Sequence, residues 1–131
     1  MIYFLDANAC LGYINGTCAG TIERLDQAQV RNLRVPAIVA AKLLYGAKKS
    51  NRHEQNLKIV RNFLSVCEVV PFDGIAADCY ARISHELDLT KQAVSVSTLI
   101  IASIVIINSG VLVSDNPEFS KISGLLLEDW S

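Results

Sequence analysis

The sequence predicts a three-layer α/β domain with a mainly parallel sheet flanked by helices. Three observations carry this reading: five short apolar runs with strand character, helical stripes between most of them, and two runs that each end at a carboxylate. At 131 residues, with 51% hydrophobic and 19% charged content, the chain suits one domain spanning residues 1–131 around a packed core.

The strands are expected at Ile2 to Leu5, Leu33 to Val35, Cys67 to Val70, Val111 to Ser114 and Leu125 to Leu127. Each is short and apolar, as parallel strands tend to be. Between them run helical stripes: Ile38, Ala41, Leu44 and Tyr45; then Leu57, Val60 and Leu64; then Ala76, Cys79, Tyr80, Ile83 and Leu87. Ser50 or Asn51 is the expected cap of the second stripe and Asp73 of the third, with Pro71 closing the strand before it.

The stretch from Gln92 to Ser114 carries no charge, and about 20 such residues would suffice to cross a bilayer. Asn108-Ser109-Gly110 interrupts it with a helix stop, followed by a β-branched run, so it divides into a buried helix and a buried strand. No membrane span is expected. The four cysteines, Cys10, Cys18, Cys67 and Cys79, lie in or beside apolar segments without C-x-x-C spacing. That favours reduced thiols and a cytoplasmic location. The opening apolar run meets an acid within five residues, unlike a cleavable leader.

Two distant segments share one construction. Ile2-Tyr3-Phe4-Leu5-Asp6-Ala7-Asn8 and Val111-Leu112-Val113-Ser114-Asp115-Asn116 are apolar runs ending in a carboxylate, with an asparagine close by. On neighbouring parallel strands, both acids would project from the carboxyl edge of one sheet, where open α/β folds hold ligands. Such a pair suggests a divalent metal.

Across its length the chain resembles the VapC-like PIN domains, the toxin ribonucleases of bacterial toxin-antitoxin pairs. The resemblance is carried by Phe4-Leu5-Asp6-Ala7-Asn8, Leu43-Leu44-Tyr45-Gly46-Ala47-Lys48-Lys49-Ser50, Leu99-Ile100-Ile101-Ala102, Leu112-Val113-Ser114-Asp115-Asn116 and the ending Gly124-Leu125-Leu126-Leu127-Glu128-Asp129-Trp130. It implies a PIN-like fold and a cluster of acids around Mg²⁺ or Mn²⁺ that activates water against an RNA phosphodiester. It also implies a VapB-like antitoxin as partner and a homodimer, for which the apolar helices around Ile38 to Tyr45 and Leu57 to Leu64 offer surface.

Asp6 and Asp115 match the first and last acidic positions of that family's pattern, and Asn8 and Asn116 match its amides. Lys42 stands at the second acidic position and Thr98 at the third, while Ala7 replaces a threonine whose hydroxyl could orient the first carboxylate. Two acids and one lysine sum to a formal −1 where four acids would give −4. At ~4 Å a unit charge pair is worth about 4 kcal/mol at an effective dielectric of 20. Mg or Mn is therefore expected to bind weakly or not at all, with Glu118 or another acid left to move in if an ion is held.

Lys42 has two readings: an internal counter-ion placed among Asp6, Asp115 and the amides, or a helix lysine that snorkels to solvent. Thr98 is either a site hydroxyl or the N-terminal residue of a buried helix, capping its backbone. Lys42, Lys48, Lys49, Arg52, Lys58 and Arg61 are half of the twelve basic residues, with only Glu54 among them. This stripe is a candidate RNA contact. It is equally the solvated face of two helices, with no aromatic interleaved for base stacking. His53 and His85 belong to no nucleophile pattern, and Trp130 is expected to pack against the last strand or a subunit interface. A degenerate nuclease that binds antitoxin or RNA is the leading reading. An active endoribonuclease using Asp6 and Asp115 is the alternative.

Overall fold

The structure is a computed structural model and describes residues 1–27 and 33–131. Five parallel strands form one sheet: β1 (Tyr3–Leu5), β2 (Leu33–Pro36), β3 (Glu68–Val70), β4 (Val111–Val113) and β5 (Leu126–Glu128), in the order β3-β2-β1-β4-β5. Among the described residues six α-helices flank it: α1 (Ala7–Ile14), α2 (Ala19–Gln27), α3 (Ala37–Lys48), α4 (His53–Ser65), α5 (Gly74–Leu89) and α6 (Val96–Ile107). The three-layer arrangement and the place of every strand agree with the sequence reading to within a residue or two.

β1 pairs with β2 on one side and β4 on the other, with Leu5 opposite Val113. The strand order therefore reverses between β1 and β4, and the crevice at their carboxyl ends is the topological switch point of the sheet. Phe4, Leu5, Val35, Leu112 and Val113 are all buried to within 1%, which fixes the register that puts Asp6 and Asp115 beyond the same edge. The uncharged run forms both expected pieces. α6 ends at Ile107, Ser109 takes φ 55 in the left-handed region, and β4 begins at Val111. Gly110 is needed between them, since a Cβ there would lie 2.5 Å from the Phe4 ring. Among the described residues no helix is long and apolar enough to cross a membrane.

Several local expectations are corrected. Ser50 closes α3 rather than opening α4: its hydroxyl donates to the Ala47 carbonyl at 2.6 Å, and Arg52 takes the N-cap position without a side-chain bond. Asp73 caps α5, accepting from Ala76 N at 2.9 Å. The apolar faces of α3 and α4 are largely spent inside the molecule, where Val39, Ala40, Leu43 and Ala47 of one and Val60 and Phe63 of the other are buried. Of the stripe expected on α3, Ile38 and Leu44 are half-buried and Ala41 is exposed, so the face turned to the core is the one carrying Val39, Leu43 and Ala47. Tyr45, placed by pattern on the apolar stripe, is instead 65% exposed.

Candidate active site

Asp6 leaves β1 and at once becomes the N-cap of α1. Its backbone N–H donates to the Val113 carbonyl at 3.2 Å, tying it to β4. Its Oδ1 accepts from Ala9 N at 2.9 Å, and its Oδ2 accepts from the Ser114 hydroxyl. Only 6% of the residue is exposed. Burial pushes its carboxyl above the usual 3.8, against the pull of the Ser114 and Ala9 hydrogen bonds, and the Asp115 charge adds to the rise.

Ser114 joins the site through contacts that the sequence did not single out. Its Oγ accepts from Asn116 N at 3.1 Å while donating to Asp6, so one hydroxyl joins the two strand-end motifs. From just beyond β4 it fixes the Asp6 carboxylate, next to an alanine at position 7 that has no side-chain donor to offer. The signal was in the sequence, as the serine of Val113-Ser114-Asp115-Asn116 immediately before the second carboxylate.

Two clefts meet at Asp6 and Asn8. One, about 280 Å³, is lined by Asp6, Asn8, Thr17, Cys18, Ser114 and Asp115, with Asp129 and Trp130 among its other walls. The other, about 160 Å³, is lined by Asp6, Ala7, Asn8, Lys42, Ser97, Thr98, Ile101, Asn116 and Phe119. The two carboxylates thus share a cleft, and Lys42 and Thr98 both open onto the second, around the same Asp6.

Lys42 is exposed, and its ammonium donates to the Ser97 hydroxyl at 2.5 Å. It takes no part in the ion pairs found among the described residues, which join Arg24 to Glu128, Arg34 to Glu68 and Arg82 to Glu86. The cation therefore borders the Asp6 pocket without neutralising a carboxylate in contact. Thr98 is 3% exposed but does not cap α6. Ser95 does, accepting from Thr98 N at 3.3 Å and donating to Thr98 Oγ1 at 2.9 Å. The Asn116 Oδ1 accepts from Glu118 N at 3.0 Å, and the Glu118 carboxylate accepts from Ser95 N at 2.6 Å, so it is held at the start of α6.

These donors fit a hard divalent cation poorly. Mg²⁺ and Mn²⁺ seek several carboxylate and water oxygens. Here one carboxylate is buried with both oxygens hydrogen-bonded, the other is exposed, and an ammonium borders the pocket. Among the described residues no three His, Cys, Asp or Glu side chains are gathered closely enough to hold a metal.

Lys48, Lys49, Arg52, Lys58 and Arg61 are all exposed along α3, α4 and the turn between them. His53 and His85 are exposed and stand apart from the clefts. Trp130 is buried with its ring 5.1 Å from that of Tyr3 and 5.5 Å from the Arg24 guanidinium, and its Nε1 donates to Glu128 at 3.0 Å. All four cysteines are free thiols, Cys10 and Cys79 buried.

The profile of the PIN domain matches residues 3–125. The chain is 34% identical to ribonuclease VapC2 of Rickettsia felis, over 99% of this chain and 98% of that protein. It is 33% identical to the tRNA(fMet)-specific endonuclease VapC of Salmonella typhimurium, over 98% and 97%. Among solved structures, DNA-bound VapBC from Salmonella typhimurium superposes with a TM-score of 0.92 at 32% identity, covering 100% of this chain and 99% of the other. VapBC2 of Rickettsia felis, bound to a DNA fragment from its promoter, gives 0.90 at 33% identity with both chains fully covered. With its strand-end motifs, its sheet and nearly its whole length accounted for, the chain belongs to the PIN-domain family, among the VapC ribonuclease homologues.

Proposed function

We propose that this chain is a degenerate VapC-like PIN domain, one unit over residues 1–131, that acts by binding a VapB-like antitoxin or RNA and is weak or inactive as a metal-dependent ribonuclease. The observation that carries the reading is the ammonium of Lys42 on the border of the Asp6 pocket, at a position where the family pattern has an acid. Thr98 at the other replaced position offers a hydroxyl already bonded to Ser95, which leaves Asp6 and Asp115 as the only acids retained from the pattern. Solved relatives of similar sequence are VapBC complexes, two of them on DNA, which supports an antitoxin partner. A cytoplasmic location and a homodimer complete the proposal, the former in keeping with free thiols.

One observation favours a second reading. Asp6 and Asp115 line the same cleft, as an active Mg- or Mn-dependent endoribonuclease would need. Recruiting Glu118 to that site would cost its bond to Ser95 N. Calorimetric titration of Mn²⁺ together with a nuclease assay on the same sample separates the two. Weak heat and no EDTA-sensitive cleavage support the degenerate site, whereas tight binding with cleavage restores the enzyme.

A further inference from the structure

The pocket bordered by Lys42 is unusual in what faces it. The Lys42 ammonium spends one of its three N–H groups on Ser97 Oγ at 2.5 Å and keeps two for a ligand. Ser97 accepts that bond and retains its own proton to donate. Asn8 is exposed at the mouth. The Asn116 Oδ1 is occupied by Glu118 N, which leaves the NH₂ group of that amide to donate. The one carboxylate lining the pocket, Asp6, has each oxygen bonded to a donor of its own, Ala9 N and the Ser114 hydroxyl. Asp115 lines the neighbouring cleft instead. A site that repels a cation and presents a lysine, a hydroxyl and two amides is suited to an oxyanion. At about 160 Å³ it has room for more than a water molecule, for which ~15 Å³ of such space suffices.

The exposed face of α3 continues from this pocket. Lys42, Tyr45 and Lys49 follow one another at i, i+3 and i+7 on that face, all exposed, and Lys42 and Lys49 are about 10 Å apart along the helix axis. Tyr45 is 65% exposed, and the Lys49 ammonium sits over one face of its ring, 4.8 Å from the centroid, so a base would stack on the opposite face. An exposed aromatic flanked by cations is how single strands are held without sequence readout, the base stacked on the ring and the phosphates on the lysines. The expectation that no aromatic interleaves the basic stripe is corrected here: Tyr45 lies between Lys42 and Lys48 in sequence and is exposed on the same face.

We propose that the pocket of Lys42, Ser97, Asn8 and Asn116 takes a phosphate group directly, with no metal ion between, and that its ligand is a single-stranded RNA segment whose neighbouring base stacks on Tyr45. The assignment rests on the reading of the site as one that has lost its metal: the charge of the cation is carried by the protein itself.

The test is a fluorescence anisotropy titration of the full chain with a labelled single-stranded RNA oligomer in EDTA, repeated with Mn²⁺, with inorganic phosphate as competitor. RNA is expected to bind in EDTA, and Mn²⁺ to add little. Lys42→Gln and Tyr45→Ala should each weaken binding about tenfold. Lys42→Arg and Tyr45→Phe should retain it, and Arg82→Gln, on α5, should leave it unchanged. Retention in the conservative variants also separates binding from misfolding. Unchanged affinity in Lys42→Gln and Tyr45→Ala would overturn the proposal, as would inorganic phosphate competing as tightly as RNA. Absence of binding with and without Mn²⁺ would overturn it alone and leave the antitoxin-binding reading standing. Binding that requires Mn²⁺ and ends in cleavage would overturn both.

Discussion

The Lys42 ammonium rests on the Ser97 hydroxyl at 2.5 Å and not on the carboxylate of Asp6, although both residues line one pocket. A helix lysine with an exposed stem and one neutral hydrogen-bond partner contributes little to folding. Lys42→Gln is therefore expected to change unfolding free energy by less than about 0.5 kcal/mol, as surface substitutions do. Urea denaturation checks this. A loss of several times that size would show that the cation neutralises buried carboxylates.

Asp6 gives the fold a pH dependence of unusual sign. Burial raises its folded-state pKa above 3.8, so the native chain holds this proton to a higher pH than the unfolded chain. Its contribution is most favourable below 3.8, declines as pH rises from there to the folded pKa, and is constant above. Asp6→Asn keeps an oxygen for the Ala9 N–H, since asparagine caps helices as well as aspartate, and removes the titration. The variant should gain on the wild type as pH is raised through that window. Stability curves that run parallel across it would contradict the assignment.

Ser114 holds Asp6 Oδ2 and accepts from Asn116 N. Ser114→Ala should cost about 1–3 kcal/mol by leaving buried polar groups short of a partner. The cost should be larger at neutral pH than at pH 3, because the hydroxyl favours the charged carboxylate. Denaturation at the two pH values reads the difference.

The chain end is predicted to be structural. Trp130 packs on Tyr3 and Arg24, and a Cβ on Gly20 would lie 2.3 Å from the Trp130 carbonyl oxygen. Trp130→Ala should cost about 3–5 kcal/mol, and Gly20→Ala about 1–3 kcal/mol through displaced backbone. Thermal melting that leaves either variant at the wild-type Tm would show that the tail is not held to α2.

The sheet was legible because each strand is a short apolar run bounded by turn chemistry, and Asp6 and Asp115 stood out because each ends such a run. α1 and α2 escaped notice for opposite reasons. Gly12 and Asn8 break the apolar stripe of α1, whereas α2 is mostly polar with only Thr21 and Leu25 buried. Residues 28–32 lie outside the described structure, and no strand or helix was assigned to them from sequence. At the site, periodicity placed Tyr45 on an apolar stripe because a tyrosine in a helix does not declare which face it takes. Ser97 is an ordinary serine in sequence and Ser114 is marked only by preceding Asp115; the approach of α3 to α6 and of β1 to β4 gives them partners 55 and 108 residues away.

We propose that Lys42 and Thr98, standing where the family pattern has acids, are what separate this site from a metal-binding one. Calorimetric Mn²⁺ titration of the wild type beside Lys42→Glu with Thr98→Asp tests it most directly. Moving the site from a formal −1 to −4 and adding two coordinating side chains should raise Mn²⁺ affinity by at least about a hundredfold, with little saturable heat from the wild type. A wild-type chain that binds Mn²⁺ as tightly as the double variant, and degrades RNA in an EDTA-sensitive way abolished by Asp6→Ala, would contradict the account.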